Sequence, residues 1–279
     1  MYLTLSPGAL GMKPGSLRDA LMLGMESGYQ GLEVSIQEVA ELLDQHGTDF
    51  VRGLFRDAKL RPAGFGLPVP WNGPEEEWRQ GLERLAVYAK AAQQIGCLRT
   101  MTWVLSGSNE RPYDENRQFH IRRFRPIAEI LEAHGCRLGL EFLGPKTIRS
   151  QLRYPFIYRM EDMLELAHEI GPNVGLLLDS WHWYTSGGTV EDLRMLRNED
   201  VVYVHVNDAP RGVPLEEHVD NRRTLPGATG VIDLGGFLQA LNAIGYDGPV
   251  VCEPFGNPAV WAADVTRSAF ERAGVPLES

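Results

Sequence analysis

Four polar side chains in the second half of the chain close apolar runs that otherwise read as fully buried: Glu141 in LGLEFLG, Asp179 in VGLLLDSWHWY, His205 in VYVHVND and Glu253 in VVCEPFG. An unpaired carboxylate in such a setting costs several kcal/mol or is forced neutral, so something cationic is expected to compensate them. Three carboxylates and one imidazole form an oxygen- and nitrogen-rich set that suits Mn²⁺, Mg²⁺, Co²⁺ or Zn²⁺ better than a metal held by thiolates. Taken alone, each is as well explained by a salt bridge or hydrogen bond at the end of a strand. Their recurrence on four successive runs favours one shared divalent metal ion.

Other residues around these runs could touch a substrate. His182, three positions after Asp179, is open to three readings: a further metal ligand, a substrate hydrogen-bond partner, or a loop histidine with no task. Trp181 and Trp183 beside it favour a sugar-like ligand, because aromatic faces stack on the apolar side of a ring, with packing against loops as the equal alternative. Trp103, closing the run LRTMTW, joins the candidate substrate contacts. Asp208 in HVNDAP could orient a ligand group or make an Asx turn before Pro210. Arg222 and Arg223 precede the loop TLPGATG and could hold an anionic oxygen in a bidentate way, or stand in solvent. Glu33 in GLEVS is a weaker candidate for the same pocket, and the basic set Lys146, Arg149, Arg153 and Arg159 reads as surface.

The elements that must position these residues follow one repeated pattern. An amphipathic stretch ends near a glycine, and a β-branched or Leu-rich run begins a few residues later, as in ESGYQGLEV, QIGCLRTMTW, AHGCRLGLEF, EIGPNVGLLLD and AIGYDGPVVCE. Glycine supplies the left-handed cap of a helix, and a short loop then feeds a buried parallel strand. Eight strands result: Tyr2–Leu5, Leu32–Val34, Arg61–Gly66, Leu98–Trp103, Arg137–Phe142, Val174–Asp179, Val201–Asn207 and Pro249–Glu253. Helical periodicity marks Leu17–Glu26, Thr48–Ala58, Glu75–Ile95, Asn116–His134, Met160–Ile170, Val190–Leu196, Leu234–Ile244 and Ala259–Ala273, with Ser16, Thr189 and Asp233 as N-caps. This alternation predicts an α/β fold, a single (β/α)₈ TIM barrel domain over residues 1–279. A Rossmann-like sheet is the main rival, but no GxGxxG follows a strand. Longer insertions at Leu67–Pro74, Val104–Glu115, Gly144–Arg159 and Ala209–Val231 all follow strands, the side on which barrels build their active sites.

Charge and composition narrow the partners. An excess of 37 acidic over 27 basic residues gives a formal net charge of −10, which repels a phosphate backbone, so no nucleic-acid partner is expected. No window approaches a membrane span and the N-terminus lacks a signal-peptide pattern. Cys97, Cys136 and Cys252 have no CxxC spacing and sit in apolar surroundings, which suits a reducing, cytoplasmic setting. A homo-oligomer is left open.

On the motifs LGLEFLG, NVGLLLDSWHWYTSGGT, VYVHVNDAP and RTLPGATGVIDLGGFLQALNAIGYDGPVVCEPF, the sequence resembles the sugar phosphate isomerase/epimerase superfamily of xylose isomerase-like barrels along nearly its whole length. It looks most like the inosose isomerase branch. The resemblance implies that Glu141, Asp179, His205 and Glu253 bind one divalent metal, that the two glutamates are also acid and base, and that His182 and Arg223 contact substrate. The family commonly reads P-G-x-G where this chain has Pro226-Gly227-Ala228-Thr229-Gly230, one residue longer.

The expected function is therefore a metal-dependent isomerase or epimerase of a sugar or keto-cyclitol, working by glutamate proton transfer through a metal-stabilised enediolate. Alternatives are a dehydratase of an inosose or dehydroshikimate type substrate, and a non-catalytic sugar-binding or accessory barrel. A related DNA-repair nuclease would need a D-x-H pair where this chain has Gly230-Val-Ile-Asp233.

Overall fold

Eight short, largely apolar strands close on themselves in the computed structural model, which describes residues 1–279 apart from Phe255, Asn257 and Ser279. In chain order they are β1 (Tyr2–Leu5), β2 (Gly31–Glu33), β3 (Arg61–Gly66), β4 (Arg99–Val104), β5 (Arg137–Phe142), β6 (Val174–Asp179), β7 (Val201–Val206) and β8 (Pro249–Cys252). Each pairs in parallel with its sequence neighbours, and β8 pairs with β1 to complete the ring. The expected (β/α)₈ barrel is the fold observed.

The outer layer consists of α1 (Leu17–Glu26), α2 (Ile36–His46), α3 (Thr48–Ala58), α4 (Glu75–Ile95), α5 (Tyr113–Glu132), α6 (Met160–Ile170), α7 (Val190–Arg194), α8 (Leu234–Ala243) and α9 (Ala259–Ala273). Ser16, Thr189 and Asp233 cap α1, α7 and α8 as their side chains predict, accepting from Asp19, Asp192 and Gly236 amides. The sequence reading assigns no helix to residues 36–46, whereas the structure places α2 there, capped by Ser35. Gly47, at φ 81°, then turns the chain directly into α3, so the β2 to β3 crossover carries two helices. Helix α5 starts three residues earlier than expected, after Pro112, and β4 is shifted by one residue. Two short helices, Lys146–Arg149 and Ser180–Thr185, form in the loops after β5 and β6.

Strand register sorts the side chains. Met101, Leu177, Tyr203 and Val251 meet inside the barrel with Ala9 in a cluster of their own, apart from the larger core between strands and helices. Two residues further along their strands come Trp103, Asp179, His205 and Glu253, which the pleat returns to the same interior face. Gly64 on β3 leaves room for Tyr203, whose ring a Cβ there would meet at 2.7 Å. The predicted polar set thus stands one layer above an apolar plug, at the C-terminal mouth. Cys97, Cys136 and Cys252 are buried free thiols. Among the described residues no helix is long and apolar enough to cross a membrane.

Candidate metal centre

One potential ligand atom from each of Glu141, Asp179, His205 and Glu253 lies within 4.8 Å of the others. Glu141 comes from β5, Asp179 ends β6, His205 lies on β7 and Glu253 follows β8, so four adjacent strands each deliver one group. Asp179 is completely buried. Its Oδ1 accepts from the Trp181 amide at 2.8 Å, capping the helix Ser180–Thr185, and from Asn207 Nδ2 at 3.0 Å. Its Oδ2 accepts from Arg223 Nη1 at 2.7 Å. The same Nη1 also donates to Glu253 Oε2.

Much of the polar capacity of this cluster is unused within the protein. Glu141 Oε1 and both ring nitrogens of His205 are buried without a hydrogen-bond partner. His205 Nδ1 lies 3.2 Å from Glu253 and 3.7 Å from Glu141, within ion-pair range but not aligned as a hydrogen bond. Buried polar groups are rarely left unpaired, and each such orphan is costly. Burial and the neighbouring Glu253 push the Glu141 carboxyl well above the usual carboxylate range. Against its own burial, His205 and Arg223 hold Glu253 below that range, and Glu253 and Glu141 lift His205 to about 10. Among the described residues, the only cationic groups beside these carboxylates are the His205 imidazole and the Arg223 guanidinium. These orphaned oxygen and nitrogen donors fit a divalent cation, which would take over that compensation.

His182 and Arg223 form the next tier. The Gly144 amide donates to His182 Nδ1 at 3.2 Å, so this nitrogen accepts and Nε2 carries the hydrogen. Burial, then Arg223, lowers the His182 pKa to about 4 and keeps the ring neutral. Its Nε2 lies 3.1 Å from Arg223 Nη2. Gly144 must be glycine here, because a Cβ would come within 2.2 Å of the His182 carbonyl. Asp220, which the sequence reading passes over, anchors Arg223 Nη2 at 2.9 Å. Their three-residue spacing was the available signal.

The structure reassigns several other predicted contacts. Asp208 does not face the cluster: its Oδ1 accepts from the Ala209 and Ile232 amides and its Oδ2 from Thr229 and Gly230. With both oxygens occupied it shapes the loop instead of contacting a ligand. This accommodates the extra residue in Pro226–Gly230, where Gly227 and Gly230 take left-handed φ of 68° and 71°. Trp181 and Trp183 are not pocket walls. Trp181 is buried against His218, and Trp183 donates to the Thr189 carbonyl and packs on Phe237. Trp103 stands at the mouth, half exposed and in register with Glu141. Glu33 lies inside the barrel 3.4 Å from the Tyr203 hydroxyl, and burial raises its pKa.

Residues 23–270 match the xylose isomerase-like TIM barrel family. The chain belongs to that family. An inosose isomerase of Bacillus velezensis is 23% identical over 247 residues, 88% of this chain and 85% of the relative. A xylose isomerase domain protein of Alicyclobacillus acidocaldarius superposes with a TM-score of 0.87 at 31% identity, covering 98% of this chain and 99% of its own. The IolI protein, solved with a bound zinc atom, superposes at 0.76 with 22% identity over 98% of each chain. Shorter curated matches are 3-dehydroshikimate dehydratases and a ketose 3-epimerase. The curated proteins among these matches are isomerases, a ketose 3-epimerase and dehydratases.

Proposed function

We propose that the protein is a divalent-metal-dependent isomerase or epimerase of a ketose or keto-cyclitol. The observation that carries this reading is the convergence of Glu141, Asp179, His205 and Glu253 within 4.8 Å, with buried donor atoms that no protein group satisfies. These four residues would hold the cation, whose chemistry when bound is that of a Lewis acid toward a carbonyl and its neighbouring hydroxyl. Glu141 and Glu253 stand on strands separated by two others, so they border a bound ring from different sides. One takes the proton from the carbon next to the carbonyl and the other returns a proton to the neighbouring carbon or the opposite face. His182, neutral with its hydrogen on Nε2, donates to a substrate oxygen, and Arg223 supplies a second donor, a charged one, beside it. Trp103 offers an exposed aromatic face on the rim.

Metal analysis of the purified protein together with incubation of a ketose panel in D₂O tests the proposal. A stoichiometric divalent ion and deuterium at the carbon next to the carbonyl are expected; active enzyme without that exchange refutes the mechanism. The dehydratases among the matches favour a second reading, in which the same proton removal is followed by loss of a β-hydroxyl. An absorbing enone product identifies dehydration; its absence with a turned-over ketose identifies isomerisation.

A further inference from the structure

The same rim carries a cleft lined by aromatic and polar side chains, apart from the metal cluster. The cleft, of about 510 Å³, opens between the loops after β3 and β4 and the first half of α5. That falls within the roughly 300–1,000 Å³ range of small-molecule pockets. Trp71 and Trp103 meet in it edge to face, with centroids 6.4 Å apart. Trp103 is also the register partner of Glu141, so its side chain leaves the sheet on the same face as that carboxylate. The cleft therefore begins one side chain away from the proposed metal site.

Its polar groups are held rigidly. The His120 ring is buried, stacked on Phe156 at 4.9 Å, and its Nδ1 lies 2.7 Å from the Asn116 carbonyl oxygen. Only an N–H can serve that oxygen, which fixes the tautomer and leaves Nε2 as an acceptor. Burial, lowering its pKa to about 4, keeps the imidazole in that neutral form. Arg111 lies over the Phe119 ring at 3.9 Å, with Nε donating to Asn116 Oδ1 and Nη1 paired with Glu110. Arg123 lies over Trp78 at 4.7 Å and pairs with Glu75 through Nη2, while its Nη1 is buried with no hydrogen-bond partner. Each guanidinium already has a carboxylate, so the cleft carries no surplus positive charge with which to select an anion. What it offers is aromatic surface beside fixed planar donors and acceptors, the complement of a neutral polyhydroxylated ring.

We infer that this cleft holds a second sugar ring, so that the substrate is a glycosylated ketose. This rests on the proposed function for the position of the reacting ring at Glu141, Asp179, His205 and Glu253. The second ring lies against Trp103 and Trp71, with a hydroxyl donating to His120 Nε2 and others accepting from the arginines.

Calorimetric titration of the wild-type protein, metal-loaded and chelated, compares D-fructose with turanose, lactulose, leucrose and palatinose, which join a second ring to different ketose oxygens. At least one disaccharide should bind about tenfold or more tighter than fructose. That gain should vanish in His120→Phe and in Arg111→Ala, the latter a partly exposed side chain whose removal leaves the core intact. Circular dichroism verifies that each variant is folded. Equal affinity for all five sugars, no detectable binding of any, or a gain that survives both substitutions in folded protein overturns the inference. Failure to bind metal or to exchange deuterium would refute the proposed function instead, and is read in separate assays that do not depend on the second ring.

Discussion

At the scale of residues, the two glutamates and Arg223 belong to one cluster but are expected to fail in different ways. Glu141→Gln and Glu253→Gln each remove a proton carrier while conserving shape. Turnover should fall about 10²–10⁴-fold with an unchanged circular dichroism spectrum, and steady-state kinetics on a turned-over ketose checks it. Arg223 lies on Asp179 and Glu253, where a cation would compete with its Nη1. Arg223→Ala should therefore leave bound metal undiminished while raising KM, as measured by metal analysis alongside kinetics. A variant that loses the metal instead would show that Arg223 props up the site. This part of the centre was legible in sequence because burial makes polar residues conspicuous: an Asp or Glu closing an apolar run is costly unless something compensates it. Asp208 drew notice only for its place just past a strand, and its compensation comes from backbone amides that no spacing rule exposes.

At the scale of elements, the loop after β7 delivers Arg223, and Asp208 holds its far end. Asp208→Ala would orphan the amides of Thr229, Gly230 and Ile232. A loss of about 2–4 kcal/mol in chemical unfolding is expected, with a raised KM as Arg223 loses its frame. The entry to β7 has its own clamp. Asp200 accepts from the Arg197 backbone and side chain and pairs with His168 at 3.1 Å. Burial alone would raise its pKa, but the Arg197 and His168 bonds outweigh it and hold Asp200 below its ordinary 3.8. A depressed carboxylate contributes stability that is complete above the unfolded-state value and is lost as pH falls through the folded one. Asp200→Asn should therefore narrow the gap in melting temperature between pH 6 and pH 3, read by thermal denaturation across pH, and an unchanged gap would refute the clamp. The amphipathic period of α2 is present in IQEVAELLDQH, yet a single helix per crossover satisfied the repeat, and only Gly47 reveals that two helices fit.

At the scale of the whole molecule, four strands converge on one point, so occupancy of that point should be felt globally. Added Mn²⁺ or Zn²⁺ should raise the melting temperature saturably, by an amount that grows with concentration over Kd, and chelation should reverse it. The shift should be absent in a Glu141→Gln, Glu253→Gln double variant, which differential scanning calorimetry can check.

The barrel and its polar mouth were determined by the sequence itself, because buried parallel strands read as largely apolar runs and glycine-ended helices recur ahead of several of them. Strand ends then fix which polar residues reach the mouth. Tertiary structure alone decided what those residues meet. It put the Arg223 guanidinium between Asp179 and Glu253, turned Asp208 to the backbone, and packed Trp181 and Trp183 away from the opening. It also joined Trp71, Trp103 and His120, from three separate segments, around one cleft. The reason is physical. Periodicity reports the face on which a side chain lies, whereas its partner depends on the register and on loop paths set by contacts distant in the chain.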